Sequence, residues 1–202
     1  MEPTVLTRDM PDETARPKRS ICAITPVFNR RDLTLDCLRT LFESDLGGLD
    51  LHCIVVDDGS SDGSAAAIAD AFPQVEIITG DGTLWYSEGT NVGIRSALLR
   101  DPDYMLLYNN DSRFPRDALQ KLVSCAERHP SSLVGGVLID WDQPERIFQV
   151  GTQWQTGYGG WRTWERQTVA SLPDRPFAVE TIVGNCMLVP TQAMRDCGLM
   201  KA

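Results

Sequence analysis

Short apolar runs alternating with helical patterns constrain this chain more than any other feature of it. The runs fall at residues 21–27, 51–56, 75–79 and 104–108, and each gives way to polar or glycine-containing residues. Runs of this length with such boundaries read as buried strands. Between them, Leu35, Leu38, Leu41 and Phe42 recur at helical spacing over residues 32–44. An alanine-rich helix is expected over residues 64–72, closed by Pro73, and another ends near Arg100 after a glycine-containing loop at residues 80–89. Pro115 suits the first turn of a fourth, with Asp117 near its positive end. This alternation predicts an α/β fold whose mostly parallel sheet carries helices on both faces. Such a sheet takes ligands beyond the carboxyl ends of its strands, so the residues standing there decide the chemistry.

Two polar clusters stand there. Asp57-Asp58-Gly59-Ser60-Ser61-Asp62 follows the second run, and Asn109-Asn110-Asp111 follows the fourth. A turn with a helix cap accounts for Ser61 or Asp62, and an Asx-rich turn accounts for the asparagines. Neither accounts for adjacent carboxylates that repel one another at the mouth of a sheet. A hard divalent cation wants oxygen ligands of this kind, and it would let an acidic protein (net charge -9) hold phosphates. The same charge argues against nucleic acid as a partner. Relieving the crowded charge, by removing Asp58 or Asp111, is expected to leave folding intact.

After residue 132 the pattern changes. Strand-like pieces at residues 133–139, 147–150, 179–183 and 187–189 surround a stretch holding Trp154, Tyr158, Trp161 and Trp164 with Gly157, Gly159 and Gly160. That stretch suits a mobile loop or a β-ribbon packed on the core. A short helix at residues 191–197 ends at Gly198. Trp85 and Tyr86, within the 80–89 loop, either stack on a sugar or base or plug the sheet. Residues 1–20 are polar, lack an apolar signal core and read as a loose tail. The 202 residues suffice for one domain. No apolar stretch approaches the ~20 residues that span a bilayer, and the six scattered cysteines read as reduced and structural, which favours a cytoplasmic location.

Taken together, these stretches resemble the family 2 glycosyltransferases of the GT-A fold. Residues 24–30 (ITPVFNR) look like the family's first-strand signature, and residues 55–62 (VVDDGSSD) match its second-strand motif. Residues 80–94 (GDGTLWYSEGTNVGI) look like its third landmark in a rhamnosyltransferase-like branch. Asn109-Asn110-Asp111 falls at its metal-binding D-x-D or a variant, and residues 184–187 (GNCM) resemble the later strand that floors the acceptor site. The resemblance implies a Rossmann-like GT-A fold. Residues 21–132 would form the nucleotide-sugar-binding half, and residues 133–202 the start of the acceptor-side region of the same domain. It implies that Pro26 and Phe28 line a base pocket and that Asp58 accepts a hydrogen bond from the base. Asn91 would lie near the nucleotide, Asn110 would face the ribose or sugar, and Asp111 would hold Mg2+ or Mn2+. The implied reaction transfers a sugar, with inversion, from a nucleoside-diphosphate sugar to a glycan or lipid-linked acceptor, at or near the inner face of a membrane.

Two departures temper the picture. The first acidic position of a D-x-D is Asn109, leaving one carboxylate for the metal. The family's general base follows the 184–198 segment in an acidic motif, and none precedes Ala202. The base is therefore expected beyond Ala202, the acceptor part reads as incomplete, and residues 1–202 alone are expected to transfer sugar slowly or not at all. A non-catalytic nucleotide-sugar-binding module is the rival reading. A nicotinamide-binding domain would want G-x-G-x-x-G after the first strand, where Phe28-Asn29-Arg30-Arg31 stands. A nucleotidyltransferase would want a glycine-rich, basic first loop, also missing.

Overall fold

Ile21 and Ala23 in the first strand (β1, Ser20–Val27) belong to one apolar core and Cys22 and Ile24 to another, and all four are buried. A strand apolar on both faces must be covered on both, and the computed structural model, which describes residues 18–155, 160–162 and 168–201, shows how. The chain continues through α1 (Arg31–Phe42), β2 (Asp50–Asp57), α2 (Ser64–Ala71), β3 (Glu76–Thr79), α3 (Trp85–Arg100), β4 (Tyr104–Tyr108) and α4 (Ala118–Arg128). Then come β5 (Val134–Gly135), β6 (Leu138–Ile139), β7 (Ile147–Gln149), β8 (Gln153–Gln155), β9 (Gly160–Arg162), β10 (Cys186–Pro190) and α5 (Thr191–Cys197).

The main sheet has the order β3-β2-β1-β4-β10-β5. The first four strands run parallel, and β10 pairs antiparallel with both β4 and β5. Helices α1, α2 and α4 pack their buried Leu38, Leu41, Ile68, Leu119 and Val123 on one face. Helix α3 covers the other with Ile94 and Ala97, joined by Ala193 and Met194 of α5. This is the α/β arrangement with helices on both faces that the alternation predicts.

Helix α3 lies close along β1 because its glycines allow it. A Cβ on Gly93 would stand 2.4 Å from Ile24 Cγ2, and one on Gly89 would stand 3.0 Å from Pro26 Cβ. The helix also starts earlier than its sequence suggests. The expected loop over residues 80–89 ends at Leu84, and Trp85 opens the helix, because a carboxylate from the neighbouring strand end holds the first amides in place. Residues 179–183 form no strand; Thr181 makes an isolated bridge with Thr152. In the tryptophan-rich stretch, β8 and β9 pair as a two-stranded ribbon with Trp154 opposite Trp161; Tyr158 and Trp164 lie outside the described residues. So do the first 17 residues of the expected tail, whereas Ser20 already belongs to β1.

Candidate functional site

The chain moves outward from β1 through β2 to β3, then returns to place β4 on the other side of β1. The loops leaving β1 and β4 therefore stand side by side at the carboxyl edge, where parallel sheets bind ligands, and both lead to helices on one face, α1 and α4. Phe28, Asn29 and Arg30 follow β1, and Asn109, Asn110 and Asp111 follow β4. Arg30 Nη1 lies 3.3 Å from Asp111 Oδ2, an exposed ion pair that joins the two loops. Pairs this exposed contribute little to stability, so the juxtaposition matters for charge presented to a ligand.

The edge loops are tied together by side chains bonding backbone. The Asn29 amide donates to Ser60 Oγ at 2.7 Å, and Asn29 Oδ1 accepts the Ser61 amide at 2.9 Å. Asp62 accepts the amides of Arg31 and Ser64, linking α1 to the start of α2; bonds from the Ser64 hydroxyl and the Arg31 amide hold its carboxyl below the usual range. Asn29 and Arg30 both adopt left-handed backbone, with φ of 59° and 62°. Strain in non-glycine residues clusters at functional sites when the surroundings over-determine it, and this loop is anchored on both sides. Gly59 supplies the remaining turn: its φ is 75°, and a Cβ there would meet Gly82 N at 3.1 Å.

The paired carboxylates turn away from each other. Asp57 Oδ1 accepts the Ser60 amide at 2.9 Å. Asp58 Oδ1 accepts Gly82 N–H at 2.8 Å, and its Oδ2 accepts Leu84 and Trp85 N–H, both at 3.0 Å. Both residues are buried. The expectation that Asp58 relieves crowding when removed is thus corrected: its charge is compensated by three amides, and it anchors the 80–85 segment. A carboxylate oxygen takes about two hydrogen bonds, so Oδ1 retains capacity for a base N–H.

The other expected site residues divide. Pro26 is half-buried beneath Gly89, and Phe28 is 60% exposed at the edge. Asn110 Nδ2 donates to Thr34 Oγ1 at 2.8 Å, and that hydroxyl donates to the Arg30 carbonyl, so Asn110 braces the β1 loop from below. Asn91 is buried and bonds Met200 in both directions, N–H to Oδ1 at 2.9 Å and Nδ2 to carbonyl at 2.9 Å. Nothing in the sequence pairs positions 91 and 200. Arg30 went unassigned although it lies inside the first-strand motif. Trp85 does not plug the sheet: it is 82% exposed.

Among the described residues no group of three or more His, Cys, Asp or Glu is gathered to hold a metal. One exposed carboxylate fits a hard cation shared with a substrate diphosphate, since magnesium commonly takes one or two carboxylates and completes its shell with phosphates and water.

Comparison with known proteins bears on this edge directly. The structure is similar to the mannosyltransferase PcManGT from Pyrobaculum calidifontis, solved in complex with GDP-Man and Mn2+. The TM-score is 0.64 at 17% identity, over 95% of this chain and 50% of that one. It is also similar to TarS residues 1–349 from S. aureus, with a TM-score of 0.56 at 14% identity, over 88% of this chain and 49% of that one. The chain thus spans about half the length of these solved structures, and the likeness establishes a GT-A-like α/β fold. No curated protein is a significant match to the sequence. The model of glycosyl transferase family 2 matches residues 22–193, from the third residue of β1 into α5 and across the loops after β1 and β4, and the chain belongs to that family.

Proposed function

We propose that the chain binds a nucleoside-diphosphate sugar at the carboxyl edge where β1 and β4 lie side by side, as the donor half of a glycosyltransferase. The observation that carries this reading is the Arg30–Asp111 pair joining the β1 and β4 loops at the edge that also holds exposed Phe28 and buried Asp58. Pro26, Phe28 and Asp58 surround the base. Arg30 brings positive charge to the diphosphate, where a guanidinium fits phosphate oxygens well. Asn110 acts at the ribose or sugar by holding the β1 loop, and Asn91 acts from beneath by holding the segment at Met200. A Mg2+ or Mn2+ ion on Asp111 and the diphosphate would supply Lewis acidity to the leaving group. PcManGT, of like fold, was solved with GDP-Man and Mn2+.

In the reaction the acceptor hydroxyl attacks the anomeric carbon opposite the departing nucleoside diphosphate, inverting it, while a carboxylate takes the hydroxyl's proton. The acceptor is a glycan or a lipid-linked sugar, in keeping with polysaccharide or cell-envelope synthesis at the inner face of a membrane. No helix among the described residues is long and apolar enough to cross one. A second reading, nucleotide-sugar binding without turnover, is favoured by one observation. Asp57, Asp58, Asp62, Asp81 and Asp111 at this edge are each engaged by backbone amides, hydroxyls or a guanidinium, and none stands ready as a base.

Titration calorimetry with UDP, GDP and dTDP, each with and without Mn2+, tests the binding claim; dTDP covers the rhamnosyltransferase-like resemblance. At least one nucleotide should bind, and more tightly with metal. No binding under any condition sinks the reading, and turnover of the matching nucleotide sugar separates enzyme from module.

A further inference from the structure

We propose that Trp85 forms a second wall of the nucleobase pocket opposite Phe28, so that the base is held between two aromatic rings. The inference rests on the function proposed above and adds a specificity residue to that site.

The placement follows from packing register. Gly93 lies on Ile24 and Gly89 on Pro26, so α3 and β1 run in opposite directions with four helical residues matching two strand residues. Four residues of helix advance about 6 Å and two of strand about 6.6 Å. One further step brings Trp85 level with Phe28, at the carboxyl edge. These two aromatic side chains, 82% and 60% exposed, stand at the end of a contact line whose inner positions are tightly closed.

The backbone at Trp85 shows that the position is held deliberately. Its φ is 56°, in the left-handed region that a bulky residue rarely occupies. Asp58 imposes it from one side, accepting the Trp85, Leu84 and Gly82 amides. The next residue is fixed from the other side, where Tyr86 Oη donates to the Gly184 carbonyl at 3.0 Å. A strained, doubly anchored segment presents an indole to solvent, where burial gives it no reason to be. An indole offers a flat π-face on which any heteroaromatic base stacks. Asp58, with hydrogen-bonding capacity left on Oδ1, lies beside it to meet a base N–H.

The experiment measures UDP, GDP and dTDP affinity with Mn2+ for Trp85→Ala, Trp85→Gly and Trp85→Phe, with inorganic pyrophosphate as a base-free probe. Removing a stacked ring should weaken the bound nucleotide roughly 5- to 150-fold. The Ala and Gly variants should show this loss, the Phe variant should keep most of the affinity, and pyrophosphate should bind all four proteins alike. Nucleotide should quench indole fluorescence in the wild type and much less in Trp85→Phe. Trp85→Gly should melt no lower than the wild type, because glycine adopts this backbone without strain; that separates lost stacking from lost folding. Unchanged nucleotide affinity in the Ala and Gly variants overturns the proposal while leaving the binding site standing. A loss confined to nucleotide sugars, with free nucleotides unaffected, overturns it too by assigning Trp85 to the sugar. Failure of the wild type to bind any nucleotide removes both this inference and the reading beneath it.

Discussion

At the scale of single residues, Asp58 and Asp111 carry the same charge in opposite circumstances. Asp58 is buried and accepts three backbone amides from a loop 24 to 27 residues away. Truncating it strands those donors, and an unsatisfied buried donor costs about 1–3 kcal/mol. Asp58→Ala should therefore lower stability in urea by at least that order, besides weakening nucleotide binding with or without metal; an unchanged midpoint would show that the anchor is dispensable. Asp111 is exposed and pairs with Arg30. Asp111→Ala should shift stability by less than about 0.5 kcal/mol and remove the metal-dependent part of nucleotide affinity, read by calorimetry. The sequence shows both carboxylates at the ligand edge and leads to the expectation that neither matters to folding. Their difference comes from partners that no local pattern displays.

At the scale of elements, β2, β3 and α3 meet at Glu76. Ser96 and Arg100 of α3 and His52 of β2 all hydrogen-bond its carboxylate. Burial works against ionisation of Glu76, but the bonds from Ser96, His52 and Arg100 prevail and hold its pKa near about 2. A carboxyl depressed in the fold adds stability above its unfolded pKa and loses it as pH falls through the folded value. The contribution should thus be present at pH 7 and fade between about pH 4.5 and pH 2. Glu76→Gln should melt lower than the wild type at pH 7, and the two should converge near pH 2. The α3–β1 contact gives a second test. Gly93→Ala gains helix propensity but drives a methyl to 2.4 Å from Ile24; overpacking of about 1–3 kcal/mol should win, and the melt should fall. The β-strands of the first half are legible because short apolar runs with polar stops leave few alternatives. The start of α3 is not, because its first amides are satisfied by Asp58 rather than by a local cap. Residues 179–183 mislead for the converse reason: among the described residues this β-branched stretch makes one isolated bridge, Thr181 with Thr152.

At the scale of the whole molecule, two apolar cores sandwich one sheet, and four of the six cysteines sit within them. Burial pushes the Cys22 and Cys186 thiols up to about 11 and Cys53 to about 12, and raises Cys37 further. Thiolate is the reactive form, so a thiol reagent at neutral pH should label exposed Cys197 quickly, half-buried Cys125 more slowly, and the other four only on unfolding. Rapid labelling of four or more in the native protein would contradict the packing described. The overall architecture and the positions of the edge residues could be read from the sequence, since the order of strands dictates where a parallel sheet binds. The lacing of that edge could not, because Asn29 with Ser60, Asp62 with Arg31 and Asn110 with Thr34 are contacts between segments distant in sequence. This lacing has a practical side. Loops already fastened to one another need little rearrangement to receive a ligand, and their ordering entropy has been lost before it arrives. Crystals grown from the free protein should therefore take up a nucleotide by soaking and keep their diffraction.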